Sequence, residues 1–232
     1  MNPATAWPPP WRAIVFDLDG TLIDSAGDLA AALNRMLAES GRGQVTVAQF
    51  KRMIGDGSAK LVERGFAATG AIPDGATLQG KLARFLEIYE AASAVLTRPY
   101  QGVPETLGVL RARGLRLGVC TNKPDAATRR VLDDLGLAGQ FDAIAGGDTF
   151  AVRKPDPGHL KGLLDQLAVP PSAAIMVGDN EHDAAAARGA GLPMILVSYG
   201  YARSPVAEIR PDAVIDRFGD LPMMLDRLRQ SS

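Results

Sequence analysis

Short apolar runs rich in β-branched residues recur along the chain at Ile14 to Phe16, Leu115 to Val119, Ala143 to Ala145, Ala174 to Val177, Met194 to Val197 and Ala213 to Ile215. Each has the length and texture of a buried strand. Between the later runs, residues 103–113, 124–136 and 157–168 carry apolar positions at helical spacing. Strand and helix in alternation predict a parallel sheet covered on both faces, an α/β fold of the doubly wound kind.

The stretch from Ser25 to Thr97 departs from that rhythm. Its apolar positions follow helical spacing, with Leu29, Leu33, Met36 and Leu37 on one face, and further amphipathic stretches follow at 50–54, 61–66 and 78–88. The pattern predicts an all-helical cap domain at 25–97, inserted between the first strand and the rest of an α/β core made of 1–24 and 98–232.

Composition narrows the function classes. In 232 residues, 47% are hydrophobic and 22% charged, ordinary values for a globular protein with a sizeable core. The formal net charge is -1 and the basic residues are scattered, so neither a nucleic acid nor an anionic membrane is an expected partner; small charged metabolites remain. The single cysteine, Cys120, excludes an intrachain disulfide and a multi-cysteine zinc site. The first residues, "MNPATAWPPPWR", lack a signal-peptide profile and read as a short extended arm, and no stretch has the roughly 18 to 20 apolar residues of a membrane span. A soluble, cytoplasmic protein is expected.

The candidate chemistry lies at the strand ends. "AIVFDLDGTLID" delivers Asp17 and Asp19 where a strand normally ends in a turn residue, and period-two alternation directs both to one side if the extended geometry persists through Leu18. In open α/β sheets the ligand crevice lies beyond these carboxyl ends. "LRLGVC" runs into Thr121, Asn122 and Lys123, a hydroxyl, an amide and backbone N–H groups ahead of a helix that Pro124 can start, together an anion cradle. Lys154 precedes Pro155 in a crevice-side loop. "AIMVG" ends in "DNEHD", with Asp179 and Asp183 at the spacing that lets two carboxylates share a helix face. Four converging acids repel unless a cation joins them, and a hard oxygen-seeking ion, Mg2+, fits best. Alone, each feature has a plainer reading: N-capping for Thr121 and Asn122, a surface lysine for Lys154, dipole stabilisation for Asp183.

Taken together and in this order, "DLDGT", Thr121, Lys154 and "GDNEHD" resemble the four motifs of the haloacid dehalogenase superfamily of phosphohydrolases, over nearly the whole chain. "TNKP", "GGD", "KPDP", "YGY" and "PDAVID" are similar to its phosphoglycolate phosphatase branch. The resemblance implies that Asp17 is a nucleophile forming an aspartyl-phosphate and that Asp19 protonates the leaving oxygen and then activates water. It further implies that Mg2+ is held by the Asp17 side chain, the Asp19 carbonyl and Asp179, with Asp183 assisting. Thr121 and the Asn122 N–H would bind phosphoryl oxygens, and Lys154 would offset charge on Asp17 and the phosphate. The implied substrate is a small phosphorylated metabolite, 2-phosphoglycolate first. Asn180 stands where the family commonly has Ser. Asp19 separates the chain from the dehalogenases, which lack an acid at that position.

In the insert, "IGDGSAKLVERG" predicts a tight loop at Gly55 and Gly57 before a helix bearing Lys60 and Arg64, and one of these cations is expected to pair with a substrate carboxylate. Two other readings stand beside this one. One is a phosphatase or mutase acting on another small ester such as a sugar phosphate. The other is a receiver-like phosphoacceptor, whose acidic pair precedes its phosphorylated aspartate and which has no acid two positions further on. "GATLQGKL" at 75–82 imitates a P-loop but ends in Leu82 where Ser or Thr is required. Cys120 reads as a buried filler, His182 as an exposed first-turn residue, and His159 carries no functional argument.

Overall fold

The computed structural model describes residues 11–92 and 94–230. Of the proposed N-terminal arm, residues 1–10 lie outside the described residues, whereas Trp11 is buried in the core. Among the described residues eight strands are formed: β1 (Ala13–Phe16), β2 (Ile23–Asp24), β3 (Arg98–Pro99), β4 (Arg116–Cys120), β5 (Ala143–Ala145), β6 (Ala174–Gly178), β7 (Met194–Val197) and β8 (Ala213–Ile215). Six of them make one parallel sheet in the order β5-β4-β1-β6-β7-β8. The chain builds outward from β1 through β4 to β5, then returns to the other side of β1 with β6. The order therefore reverses around β1, and a crevice opens at the carboxyl ends there.

Parity along β1 decides what each face meets. Ile14 and Phe16 join the cluster containing Leu117, Val119, Ile175 and Val177 under α5 (Val103–Ala112) and α10 (Leu221–Gln230). Ala13 and Val15 join Met176, Met194 and Leu196 under α7 (Pro157–Leu167) and α8 (Glu181–Ala190). α6 (Asp125–Asp134) follows β4, and α9 (Val206–Ile209) is a single turn. All four β1 side chains are buried, as a strand covered on both faces requires. The same period sends Asp17 toward α7 and α8.

Between β2 and β3 lie α1 (Ala26–Glu39), α2 (Val47–Lys51), α3 (Ser58–Thr69) and α4 (Gly75–Glu90). Leu33, Met36, Leu37, Phe50, Val62, Phe66 and Phe85 form their own cluster, joined from the sheet side by Ala127 and Tyr201. The two crossings between sheet and insert run side by side as an antiparallel ribbon, Ile23 opposite Pro99 and Asp24 opposite Arg98. Two-residue strands are too short to show periodicity, so this ribbon is invisible in the sequence pattern. The P-loop imitation lies inside α4, where helical backbone cannot wrap a phosphate. Helix α2 ends at Lys51, short of the amphipathic stretch read through Ile54, because residues 52–56 turn toward the sheet. Among the described residues no helix is long and apolar enough to cross a membrane.

Candidate active site

Asp17 follows β1 and is buried, its backbone N–H still on the ladder to the Val177 carbonyl at 2.9 Å. Its Oδ1 accepts from the Leu18 N–H at 2.7 Å and from Lys154 Nζ at 2.8 Å. Burial raises its pKa, the Lys154 charge opposes and the Asp183 charge adds, leaving it at about 7. Lys154 also donates to Asp183 Oδ1 at 2.6 Å. Its own pKa stays above the lysine norm because two carboxylates outweigh the desolvation that would lower it.

Asp179 and Asp183 meet, but not on one helix face. Asp179 precedes the helix, Asn180 is its N-cap, and Asp183 closes a capping box whose Oδ2 accepts from the backbone N–H groups of Asp179 at 3.1 Å and Asn180 at 3.2 Å. Shared-face geometry requires both residues to be helical, and only Asp183 is. Asn180 uses both ends of its amide: Nδ2 donates to Asp179 Oδ1 at 2.7 Å, and Oδ1 accepts from the His182 N–H at 2.9 Å. A serine hydroxyl is too short to bridge both in this way.

Two glycines let other backbone approach Asp179. Gly20 has φ +91°, and a Cβ there would collide with the Asp179 carboxylate. At Gly200 a Cβ would strike Asp179 Cβ. The neighbouring Tyr201 N–H donates to Asp179 Oδ2 at 2.6 Å while its hydroxyl donates to Asp24 Oδ1 at 2.6 Å and accepts from the Ser25 N–H at 3.0 Å. "YGY" therefore ties the β2–β3 ribbon to the acidic site, a role the sequence did not disclose.

One carboxylate oxygen each from Asp17, Asp179 and Asp183 lie within 4.8 Å of one another. One ammonium serves Asp17 and Asp183, and among the described residues Asp179 has no cation paired with it. Burial, with the charges of Asp183 and Asp17, pushes its pKa well above the carboxylate range. Three buried oxygen donors with excess negative charge fit a hard divalent cation.

Asp19 does not turn the same way. Its Oδ1 accepts from Ser25 Oγ at 2.5 Å, and both oxygens lie 3.2 Å from Lys123 Nζ. The strand has ended by then, since the Leu18 carbonyl accepts from the N–H groups of Thr21, Leu22 and Ile23, so the alternation that would align Asp19 with Asp17 no longer holds. Lys123 is buried with its ammonium 4.4 Å from the centre of the Tyr89 ring. Burial would lower its pKa, but Asp19 and Tyr89 more than reverse this and the ammonium is held above its usual range. The sequence reading used only the backbone of Lys123 and missed its side chain.

Thr121 is buried, and its Oγ1 accepts from the Lys123 N–H at 3.2 Å, which leaves its own proton to donate. The Asn122 amide reaches across the crevice, donating to the Gly55 carbonyl at 3.0 Å and the Lys154 carbonyl at 2.9 Å. His159, buried, accepts the Lys154 N–H at Nδ1 over 3.3 Å while Nε2 faces the Gly146 carbonyl at 3.0 Å, which fixes a neutral tautomer that holds the Lys154 backbone. Burial and the Lys154 charge lower its pKa to about 4. Cys120 is inert packing, its thiol pushed up to about 12 by burial.

The crevice is roofed by Gly55, Gly57, Ser58, Leu61 and Tyr89 over Asp17, Asp19, Thr121, Lys123 and Lys154, and encloses about 50 Å³. Lys60 and Arg64 are not among its walls. Lys60 Nζ is bound to Glu63 at 2.8 Å on the outer surface, and Arg64 Nη1 is held by Asp56 and by the Met53 carbonyl at 2.8 Å. Lys60 faces outward and Arg64 folds back onto the loop that precedes α3, so neither lines the crevice. His182 does line it and is not exposed: Nε2 meets Asp56 Oδ1 at 2.5 Å.

A model of the haloacid dehalogenase-like hydrolases matches residues 14–197, from β1 through β7. The chain belongs to that family. Among its relatives, the phosphoglycolate phosphatase of Rhodospirillum rubrum is 47% identical over 214 residues, covering 90% of this chain and 89% of that protein. The phosphoglycolate phosphatase of Agrobacterium fabrum is 40% identical, covering 92% of each. The crystal structure of "a predicted phosphoglycolate phosphatase" from Haemophilus somnus superposes with a TM-score of 0.88 at 30% identity, covering 93% of this chain and 98% of that one. Like these relatives, this hydrolase is a phosphoric monoester hydrolase, and its parallel six-stranded sheet is theirs.

Proposed function

We propose that this hydrolase cleaves a small carboxylated phosphomonoester, 2-phosphoglycolate to glycolate and phosphate, through an aspartyl-phosphate on Asp17, with residues 25–97 acting as a cap over a core of 1–24 and 98–232. The observation that carries the reading is the separation of the two leading acids. Asp17 stands with Lys154 in the buried carboxylate cluster, while Asp19, past the end of the strand, has Ser25 and Lys123 as its partners. One acid can attack while the other handles a proton.

In the first step an Asp17 oxygen attacks phosphorus in line, the ester P–O bond breaks, and Asp19 gives its proton to the departing alcohol oxygen. In the second, Asp19 takes a proton from water, whose oxygen attacks the same phosphorus, and phosphate leaves as the Asp17 carboxylate is restored. Thr121 Oγ1 donates to a phosphoryl oxygen, and Lys154 favours the ionised form of Asp17 against its burial and offsets phosphoryl charge. The carboxylates of Asp17, Asp179 and Asp183, with the Asp19 carbonyl, would hold Mg2+, which supplies charge neutralisation at the phosphoryl group. The name shared by the relatives from R. rubrum and A. fabrum supports 2-phosphoglycolate in particular.

A substrate panel with 2-phosphoglycolate, sugar phosphates and alkyl phosphates that lack a carboxylate, assayed by phosphate release with Mg2+ and with EDTA, tests this. Sustained turnover is expected, highest on 2-phosphoglycolate and abolished by EDTA. A preference for sugar phosphates, or full activity in EDTA, would overturn it.

A further inference from the structure

The substrate's carboxylate needs a cation, and the two offered by the helical insert point elsewhere. Lys60 is neutralised by Glu63 at the surface, and Arg64 is held by Asp56 and the Met53 carbonyl. Among the described residues the ammonium groups lining the crevice are those of Lys123 and Lys154. Lys154 is committed to Asp17 and Asp183. Among the described residues Lys123 has a single carboxylate partner, Asp19, through one pair of contacts at 3.2 Å, so its charge is matched by one carboxylate where that of Lys154 is matched by two.

Beside it stands a second polar group with a proton to donate. The Tyr89 hydroxyl is buried in the crevice wall with the Lys123 ammonium as its polar neighbour, and among the described residues no group accepts its proton. Its ring forms the floor on which the Lys123 ammonium rests, 4.4 Å from the centroid. A buried hydroxyl whose proton lacks an acceptor, next to an ammonium, is a favourable place for an incoming anion.

We infer that Lys123, with the Tyr89 hydroxyl, is the reader of the substrate's carboxylate, so that specificity for an acid is set by the strand end of the core and not by a cation of the cap. The inference rests on the function proposed above. If Asp19 meets the leaving oxygen, the carboxylate of an α-carboxylated alcohol lies only two bonds further on, on the side of Asp19 where Lys123 stands. A substrate with a neutral head would leave this ammonium shared with Asp19 alone.

The test compares kcat and KM of the full-length protein for 2-phosphoglycolate and for ethyl phosphate, its analogue without the carboxylate. In Lys123→Met both esters are expected to slow, since Asp19 loses a partner. The ratio of kcat/KM in favour of 2-phosphoglycolate should fall a further tenfold or more, on the order of one charge-assisted hydrogen bond. That loss should appear in KM, competitive inhibition by glycolate should weaken in parallel, and Lys123→Arg should restore part of the ratio. Tyr89→Phe, which keeps the ring, should lower the ratio by about threefold and serves if the lysine variant does not fold. An equal loss on both esters would make Lys123 a positioning residue for Asp19 and overturn the inference, as would an unchanged ratio in Tyr89→Phe. A wild-type enzyme that fails to hydrolyse either ester refutes the proposed function instead, before any variant is made. Wild-type activity with no preference between them refutes the carboxylate reader together with the substrate assignment.

Discussion

The two walls of the crevice are built by different physics. The core wall is a set of buried groups held by backbone: Asp17 on a strand ladder, Asp183 in a capping box, Asp179 clamped by the Tyr201 N–H. The wall from the insert is held by exposed and half-buried ion pairs. Asp56 joins Arg64, Arg203 at 2.6 Å and His182 at 2.5 Å, and Arg203 joins Glu181 at 2.6 Å. Burial pushes the Asp56 pKa up, but hydrogen bonds from Arg203 and Arg64 and the His182 charge bring it down to about 2. Breaking a buried pair strands a charge in a dry place, while breaking a surface pair returns two ions to water. The core wall is therefore rigid and costly to damage, and the insert is joined to it by contacts that can open and re-form.

The sharpest way to break that contrast is Lys154→Met, which leaves Asp17 and Asp183 buried with no countercharge. We expect a loss of about 3 to 5 kcal/mol in chemical denaturation, partly recovered on adding Mg2+. A loss comparable to that of a surface pair would show the core wall to be no stiffer than the other.

A smaller effect is expected at His159. Burial and Lys154 hold its folded pKa at about 4, below the unfolded value of 6.5. Between these values the unfolded chain binds the extra proton, so the contribution is complete above about 6.5 and shrinks as pH falls toward about 4. His159→Gln should therefore lose less stability than wild type between about pH 7 and about pH 5 in urea titrations. Parallel pH dependence of the two proteins would contradict the neutral-tautomer assignment.

The smallest effect is expected at the other wall. Asp56→Ala should cost about 1 kcal/mol or less while raising KM for the substrate by loosening the contact with Arg203. A large destabilisation with unchanged KM would erase the distinction between the two walls.

That distinction also explains what the sequence made legible. The sheet could be read because burial on both faces leaves uninterrupted runs such as "AIVF" and "AIMVG", and strand ends advertise acids in places where acids need a reason. Asp17, Asp179, Asp183 and Lys154 converge because topology alone brings β1, β6 and the approach to α7 together. The side-chain partners were hidden. Lys123 on Asp19, Tyr89 beneath Lys123 and His182 on Asp56 each join segments far apart in the chain, with no periodic signal linking them. Lys60 and Arg64 misled for the complementary reason: a cation just after a glycine loop is conspicuous in sequence, but its direction depends on helix phase, which turned both away.

The central claim is that Asp17, and no other group, receives the phosphoryl. Its most direct measurement is peptide mass analysis of the Asp19→Asn variant, acid-quenched during turnover of p-nitrophenyl phosphate with Mg2+, a substrate whose leaving group needs no proton from Asp19. The expected result is one phosphoryl group on the peptide carrying Asp17, lost on treatment with hydroxylamine. Nitrophenol release with that peptide unmodified, or a phosphoryl group found on any other residue, would contradict it.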